Sequence, residues 1–124
     1  RRYSAEAYVA MRGRKHGYCD AVRATFDTYD LLLTPTVSVA AFEVGRLNPV
    51  GFPQHPWDWF PWAGFSYPFN FTVQPAATVP AGFTASGMPV GLQIVGRRLA
   101  DLQVLQASAA FEQARPWAQK RPAV

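Results

Sequence analysis

Only one cysteine, Cys19, stands among the 124 residues, which rules out an internal disulfide and fits a reducing, cytoplasmic setting. Long apolar runs are missing as well. None approaches the roughly 20 residues that cross a bilayer, so no membrane partner is expected. No signal-peptide core follows Arg1-Arg2-Tyr3-Ser4. The chain opens without a methionine, and the expectation is that it begins inside a longer one. Charge is sparse at 16%, and the formal net charge of +4 is scattered over Arg1/Arg2, Arg12/Arg14/Lys15, Arg97/Arg98 and Lys120/Arg121. Without a basic stripe, nucleic acid is not an expected partner.

Catalytic signatures are equally scarce. The serines are Ser4, Ser38, Ser66, Ser86 and Ser108, no two of them adjacent, and the lysines are Lys15 and Lys120. There is no Gly-x-Ser-x-Gly elbow, no His-Glu-x-x-His pair, no glycine-rich phosphate loop and no zinc-type cysteine spacing. His16 and Cys19 lie three apart on a helical stretch, but with no third ligand nearby they read as incidental positions rather than a metal site. No catalytic residue, metal or cofactor is assigned to this chain.

What is present is a folded chain: 49% apolar residues, with length for one domain and a modest core. From Ser4 to Tyr29 the pattern is helical, with Tyr8, Met11, Tyr18, Val22, Phe26 and Tyr29 on one face and Ser4 as N-cap. Leu31-Leu32-Leu33 reads as a short buried strand. Residues 37–61 carry four prolines and two glycines and read as a long loop, a kind usually functional or ordered by something else. That loop ends in the aromatic run Trp57-Asp58-Trp59-Phe60-Pro61-Trp62. These rings either plug the loop onto the core or wall an apolar pocket. Trp62 to Thr72 reads as a helix that Pro68 must kink or divide. Asn70, between two phenylalanines, is expected to hydrogen-bond nearby backbone, and Gln93 likewise.

The most informative stretch is 75–96. Two apolar runs, Ala76 to Val79 and Val90 to Val95, flank the turn residues Ala85-Ser86-Gly87 and predict a strand pair, the second strand largely buried. Pro80 and Pro89 donate no ladder bond and belong at strand ends or bulges. A helix from Asp101 to about Arg115 follows, with Val104, Leu105, Ser108 and Phe111 as its packing arc, Leu102 and Ala109 at the margin, and Asp101 at its positive end.

Pro75-Ala76, Val79-Pro80-Ala81-Gly82-Phe83 and Gly87-Met88-Pro89-Val90-Gly91-Leu92-Gln93-Ile94-Val95-Gly96 closely resemble the C-terminal block of the amidase signature family. The Leu-rich helix after Asp101, the Asn-containing Phe69-Asn70-Phe71-Thr72 and the upstream Tyr29-Asp30-Leu31-Leu32-Leu33-Thr34-Pro35-Thr36 match that family in the same order. One position departs: Val73 stands where the family commonly has glycine. The resemblance implies an α/β fold, with residues 1–124 forming a single segment of an α/β/α sandwich with a mixed sheet. It implies structural roles for Asn70, Pro75, Pro80, Gly82, Gly87, Pro89, Gly91, Gln93, Gly96 and Asp101. It also places Trp59, Phe60, Trp62 and Phe65 near a substrate entrance, as a pocket wall.

Enzymes of this family cleave amide bonds with a Ser, a second Ser held through a cis peptide, and a Lys, all in the N-terminal half. No serine or lysine here matches those positions. The implied protein is an amide hydrolase whose bond-breaking part is absent, so this chain alone is expected to be inactive. Its partners are the missing N-terminal part and a small-molecule amide. Family members acting on glutamine tend to carry an acidic residue ahead of the Asn motif. Trp62-Ala63-Gly64-Phe65-Ser66-Tyr67 has none, which favours apolar or aromatic acyl groups. Uncovered strand edges and helix faces would promote homo-oligomers. The competing readings are a stand-alone binding module of the same shape, and a structural subunit completing a separate catalytic chain.

Overall fold

Ser4 starts the first element. In the computed structural model, which describes residues 3–55 and 60–120, its hydroxyl accepts the Ala7 N–H at 3.1 Å and opens helix α1, Ala5–Thr28. The aromatic stripe of α1 is covered only toward its C-terminal end. Phe26 is buried with Val22 beside it, while Tyr8, Met11 and Tyr29 stay exposed and Tyr18 is only partly covered, by the Phe71 ring.

Five further elements follow: β1 (Leu31–Pro35), α2 (Tyr67–Thr72), β2 (Ala76–Phe83), β3 (Pro89–Gly96) and α3 (Asp101–Ala114). The three strands form one sheet in the order β1-β3-β2, antiparallel at both seams. The last strand in sequence therefore sits in the middle. Successive residues of β3 face opposite sides of the sheet. Val95 packs with Phe26 and Phe69, and Ile94 packs with Val79 and Val104. Helices α1 and α2 thus cover one face and α3 the other, the layering of an α/β fold. The portion of sheet in this segment is antiparallel; the expected mixed character is not expressed among its described strands.

Several local readings hold. Thr84 and Met88 close the hairpin around Ala85-Ser86-Gly87, with Thr84 N–H donating to the Met88 carbonyl at 2.8 Å. Pro80 borders a bulge in β2, where the register shifts before Gly82, and Pro89 opens β3. Asp101 occupies the first turn of α3, after an N-cap at Ala100. Gln93 is buried, and its side-chain N–H groups reach the Thr34 hydroxyl (2.9 Å) and the Phe65 carbonyl (3.0 Å), so the amide is satisfied.

Other expectations are corrected. Leu33 is 58% exposed, because α3 lies over β2 and β3 and leaves the middle of edge strand β1 bare. The packing arc of α3 is Val104, Ala107 and Phe111; Leu102 and Leu105 point away from the sheet. Pro68 does not kink a helix but begins one. It sits in the first turn of α2, where a missing N–H costs nothing. Asn70 is exposed and makes no side-chain hydrogen bond to the described residues.

Two positions expose the stereochemistry of the sheet layer. Helix α2 ends on Val73 at φ 63° and ψ 40°, a left-handed conformation in which its N–H and that of Gln74 both bond the Phe69 carbonyl. A β-branched side chain is strained there, and glycine would not be. Gly91 lies under a side-chain bridge in which the Thr36 and Thr78 hydroxyls are 3.3 Å apart. A Cβ on Gly91 would fall 2.5 Å from the Thr36 hydroxyl and 2.9 Å from the Thr78 methyl.

Val73 is 61% exposed, so little burial is lost on truncation, and Val73→Gly should stabilise the protein by about 1 kcal/mol in denaturant unfolding. Gly91→Ala should destabilise it by about 1–3 kcal/mol, with part of the loss recovered when Thr36 is also changed to Ala.

Candidate functional site

The segment between β1 and α2 has no helix or strand among its described residues, yet it is tightly bonded. Two turns shape its first half. The Arg46 N–H closes on the Glu43 carbonyl at 3.3 Å and the Phe52 N–H on the Pro49 carbonyl at 3.1 Å. Gly51, third residue of the latter turn, sits at φ 88°, as a type II turn requires.

Between the turns Asn48 is 1% exposed, and every polar group it has is used. Its side-chain nitrogen donates to the Pro53 carbonyl (2.6 Å) and the His55 carbonyl (3.1 Å), and its side-chain oxygen accepts the Trp62 indole N–H at 2.8 Å. Gln54 returns the contact: its amide nitrogen donates to the Asn48 carbonyl at 2.9 Å, and its amide oxygen accepts the Asn48 N–H at 3.4 Å. Trp62 also packs edge-on against Phe42, with ring centroids 5.6 Å apart, and its carbonyl accepts the Ser38 N–H at 3.0 Å. Start, middle and end of the loop are thereby pinned together.

This pinning delivers the loop's last turn to α2. Phe60 stacks on Tyr67 with centroids 4.3 Å apart and planes 17° from parallel. Across from them, Tyr18 of α1 meets Phe71 of α2 edge-on at 5.9 Å, and the Lys15 ammonium lies 4.6 Å from the centre of the Phe71 ring. Together with Gly64, Pro68 and Asn70 these side chains line an open, mainly apolar cleft of about 640 Å³. Partial burial pushes the Tyr67 phenol above its ordinary pKa, so it remains a neutral hydroxyl at physiological pH. The lining contains one cation, Lys15, and no carboxylate among the described residues.

Of the four aromatic residues expected at a pocket wall, Phe60 lines this cleft. Trp62 and Phe65 stand behind it, the first tied to Asn48 and the second lending its carbonyl to Gln93. Trp59 lies outside the described residues. Asn70 is at the cleft, while the proline and glycine positions from Pro75 to Gly96 lie along the sheet and its turns. The contributions of Tyr18, Tyr67 and Phe71 were not read from the sequence. Tyr18 was visible there only as one more apolar position on α1.

Nucleophile chemistry is not assembled here. The Ser4 hydroxyl caps α1, Ser66 and Ser108 bond backbone carbonyls and Ser86 bonds Thr84. No serine–lysine hydrogen bond exists among the described residues, since Lys15 and Lys120 lie over the Phe71 and Phe83 rings. A serine without an adjacent base is a poor nucleophile. Among the described residues no group of three His, Cys, Asp or Glu comes together, and no helix is long and apolar enough to cross a membrane.

Comparison with known proteins finds close similarity. A family model described as Amidase matches residues 1–105. An acylamidase of Rhodococcus erythropolis is 45% identical over 100 residues, 77% of this chain and 20% of that protein. Among solved structures, a 6-aminohexanoate cyclic dimer hydrolase superposes with TM-score 0.79 and 32% identity, over 96% of this chain and 26% of its own. A bacterial aryl acylamidase of the amidase signature family superposes with TM-score 0.73 and 35% identity, over 97% of this chain and 26% of its own. The chain therefore spans about a fifth to a quarter of the relatives it matches.

Proposed function

This chain belongs to the amidase signature family, and from that premise we propose that it is the C-terminal part of an amide hydrolase acting on amides with apolar or aromatic acyl groups. The carrying observation is the cleft, in which Tyr18, Phe60, Tyr67 and Phe71 present ring surfaces and no carboxylate among the described residues joins them. A phenyl-sized acyl group buried against such rings gains about 1.5–3 kcal/mol. Free glutamine would bring an ammonium group into the cleft with no acidic partner among its described residues, and burying an unpaired charge is costly.

In this reading the cleft of the 124 residues holds the acyl body, and the carbonyl projects toward residues supplied by the N-terminal part. There a serine attacks the carbonyl carbon while a lysine, through a second serine, carries the proton to the departing amine. Backbone N–H groups hold the oxyanion, and water then releases the acyl group. No cofactor is required. The chain alone has no such set and would be inactive. A cytoplasmic setting, consistent with the single cysteine, and self-association of the protein complete the proposal.

Two measurements test it. The full-length enzyme should hydrolyse an aryl or alkyl amide faster than glutamine, and Phe60→Ala or Tyr67→Ala should raise KM for the aryl amide roughly tenfold. Faster hydrolysis of glutamine would overturn the substrate assignment. Separately, the isolated 124-residue chain leaves Tyr8, Met11, Leu33, Leu102 and Leu105 exposed, and in sedimentation velocity it should associate or aggregate. A monodisperse monomer with a cooperative melt would count against its being part of a larger fold.

A further inference from the structure

Asn48 is not among the described residues lining the cleft, yet with Val95 it is the largest side chain fully shut from solvent among the described residues. Burying an amide is tolerable only when its partners are complete, and here they are. The partners come from both ends of the loop's aromatic run: the Pro53 and His55 carbonyls just before it and the indole of Trp62, its last residue. A side-chain amide suits this task because two N–H donors and a carbonyl acceptor sit on neighbouring atoms. A leucine of similar volume would leave two carbonyls and an indole N–H without partners.

We infer that Asn48 is a positioning residue for acyl selection. By holding the Trp62 indole it sets where the chain re-enters the cleft wall, and so how far Phe60 stands over Tyr67. The route is short. Trp62 is two residues from Phe60 and two from Gly64, and both of these line the cleft. The ring pair Phe60–Tyr67 narrows the wall opposite Tyr18 and Phe71, so a shift of the loop's last turn changes the room for a large acyl body and leaves a small one indifferent. This rests on the acyl-cleft reading above. It adds that the discriminating geometry is set by a buried amide outside the cleft, through one indole hydrogen bond.

The test uses the full-length enzyme and two 4-nitroanilides, one of benzoic acid and one of acetic acid. Melting temperatures are recorded for each variant. In Asn48→Ala, KM for the benzoyl substrate should rise about tenfold, while its kcat and both constants for the acetyl substrate stay within about twofold. Trp62→Phe, which keeps an aromatic ring while losing the indole N–H and some ring volume, should give the same shift, and the double variant should be no worse than either single one. Should Asn48→Ala fail to fold, Trp62→Phe decides alone. Parallel changes for both substrates, a fall in kcat, or a lowered melting temperature with KM unchanged would overturn the inference. If the wild-type enzyme hydrolyses neither anilide, the cleft reading itself has failed and the inference falls with it.

Discussion

The whole segment depends on β3 being covered on both faces. Val95, at 0% exposure, is pressed between sheet and the α1–α2 layer, and its neighbour Ile94 is pressed against α3. Because adjacent strand residues face opposite ways, two consecutive apolar side chains can be buried only if a layer lies on each side. That requirement places α1 and α2 on one face and α3 on the other. It also explains the glycines that border the paired strand. Gly91 admits the Thr36–Thr78 bridge and Gly96 admits the Val104 methyl, each at distances where a Cβ would collide.

A second organising point is polar and lies away from the sheet. The Gln54 side chain binds both backbone groups of Asn48, the Asn48 side chain binds the Pro53 and His55 carbonyls, and the Trp62 indole joins them. A segment without helix or strand has no ladder to satisfy its backbone, so side-chain amides take over that task. The two points meet at α2. Phe69 enters the core beside Val95, while Tyr67 and Phe71 on the same short helix turn toward the cleft. The cleft therefore inherits its rigidity from the core on one side and from the amide knot on the other.

The exposed apolar residues fit the chain's share of its relatives. The chain spans a fifth to a quarter of those proteins' length, and it carries apolar surfaces open to solvent. The outer side of α3 at Leu102 and Leu105, the middle of β1 at Leu33 and the first half of α1 are such surfaces. The arrangement also separates roles. This segment carries an apolar cleft with one lysine at its edge, and the Ser4 hydroxyl caps α1 while those of Ser66, Ser86 and Ser108 bond backbone carbonyls or a neighbouring hydroxyl.

Local features were legible in the sequence because short-range rules produce them. Ser4 as a cap, the hairpin at Ala85-Ser86-Gly87, the bulge beside Pro80 and the helix after Asp101 each follow from a few neighbouring residues. The family resemblance was legible for the same reason, since its blocks are contiguous. Even the buried status of Gln93 could be read, because a lone polar residue in an apolar strand must find a partner. What the sequence could not determine was which distant residues would meet. The central place of β3, the bareness of Leu33, the place of Pro68 in the first turn of α2 and the cleft shared by Tyr18, Phe60, Tyr67 and Phe71 all depend on how layers settle on one another. Asn48 is the clearest case. Between Leu47 and Pro49 it is an ordinary turn residue, and only the folded loop, by closing Pro53, His55 and Trp62 around it, converts a solvated amide into a buried one whose bonds hold the wall of the site.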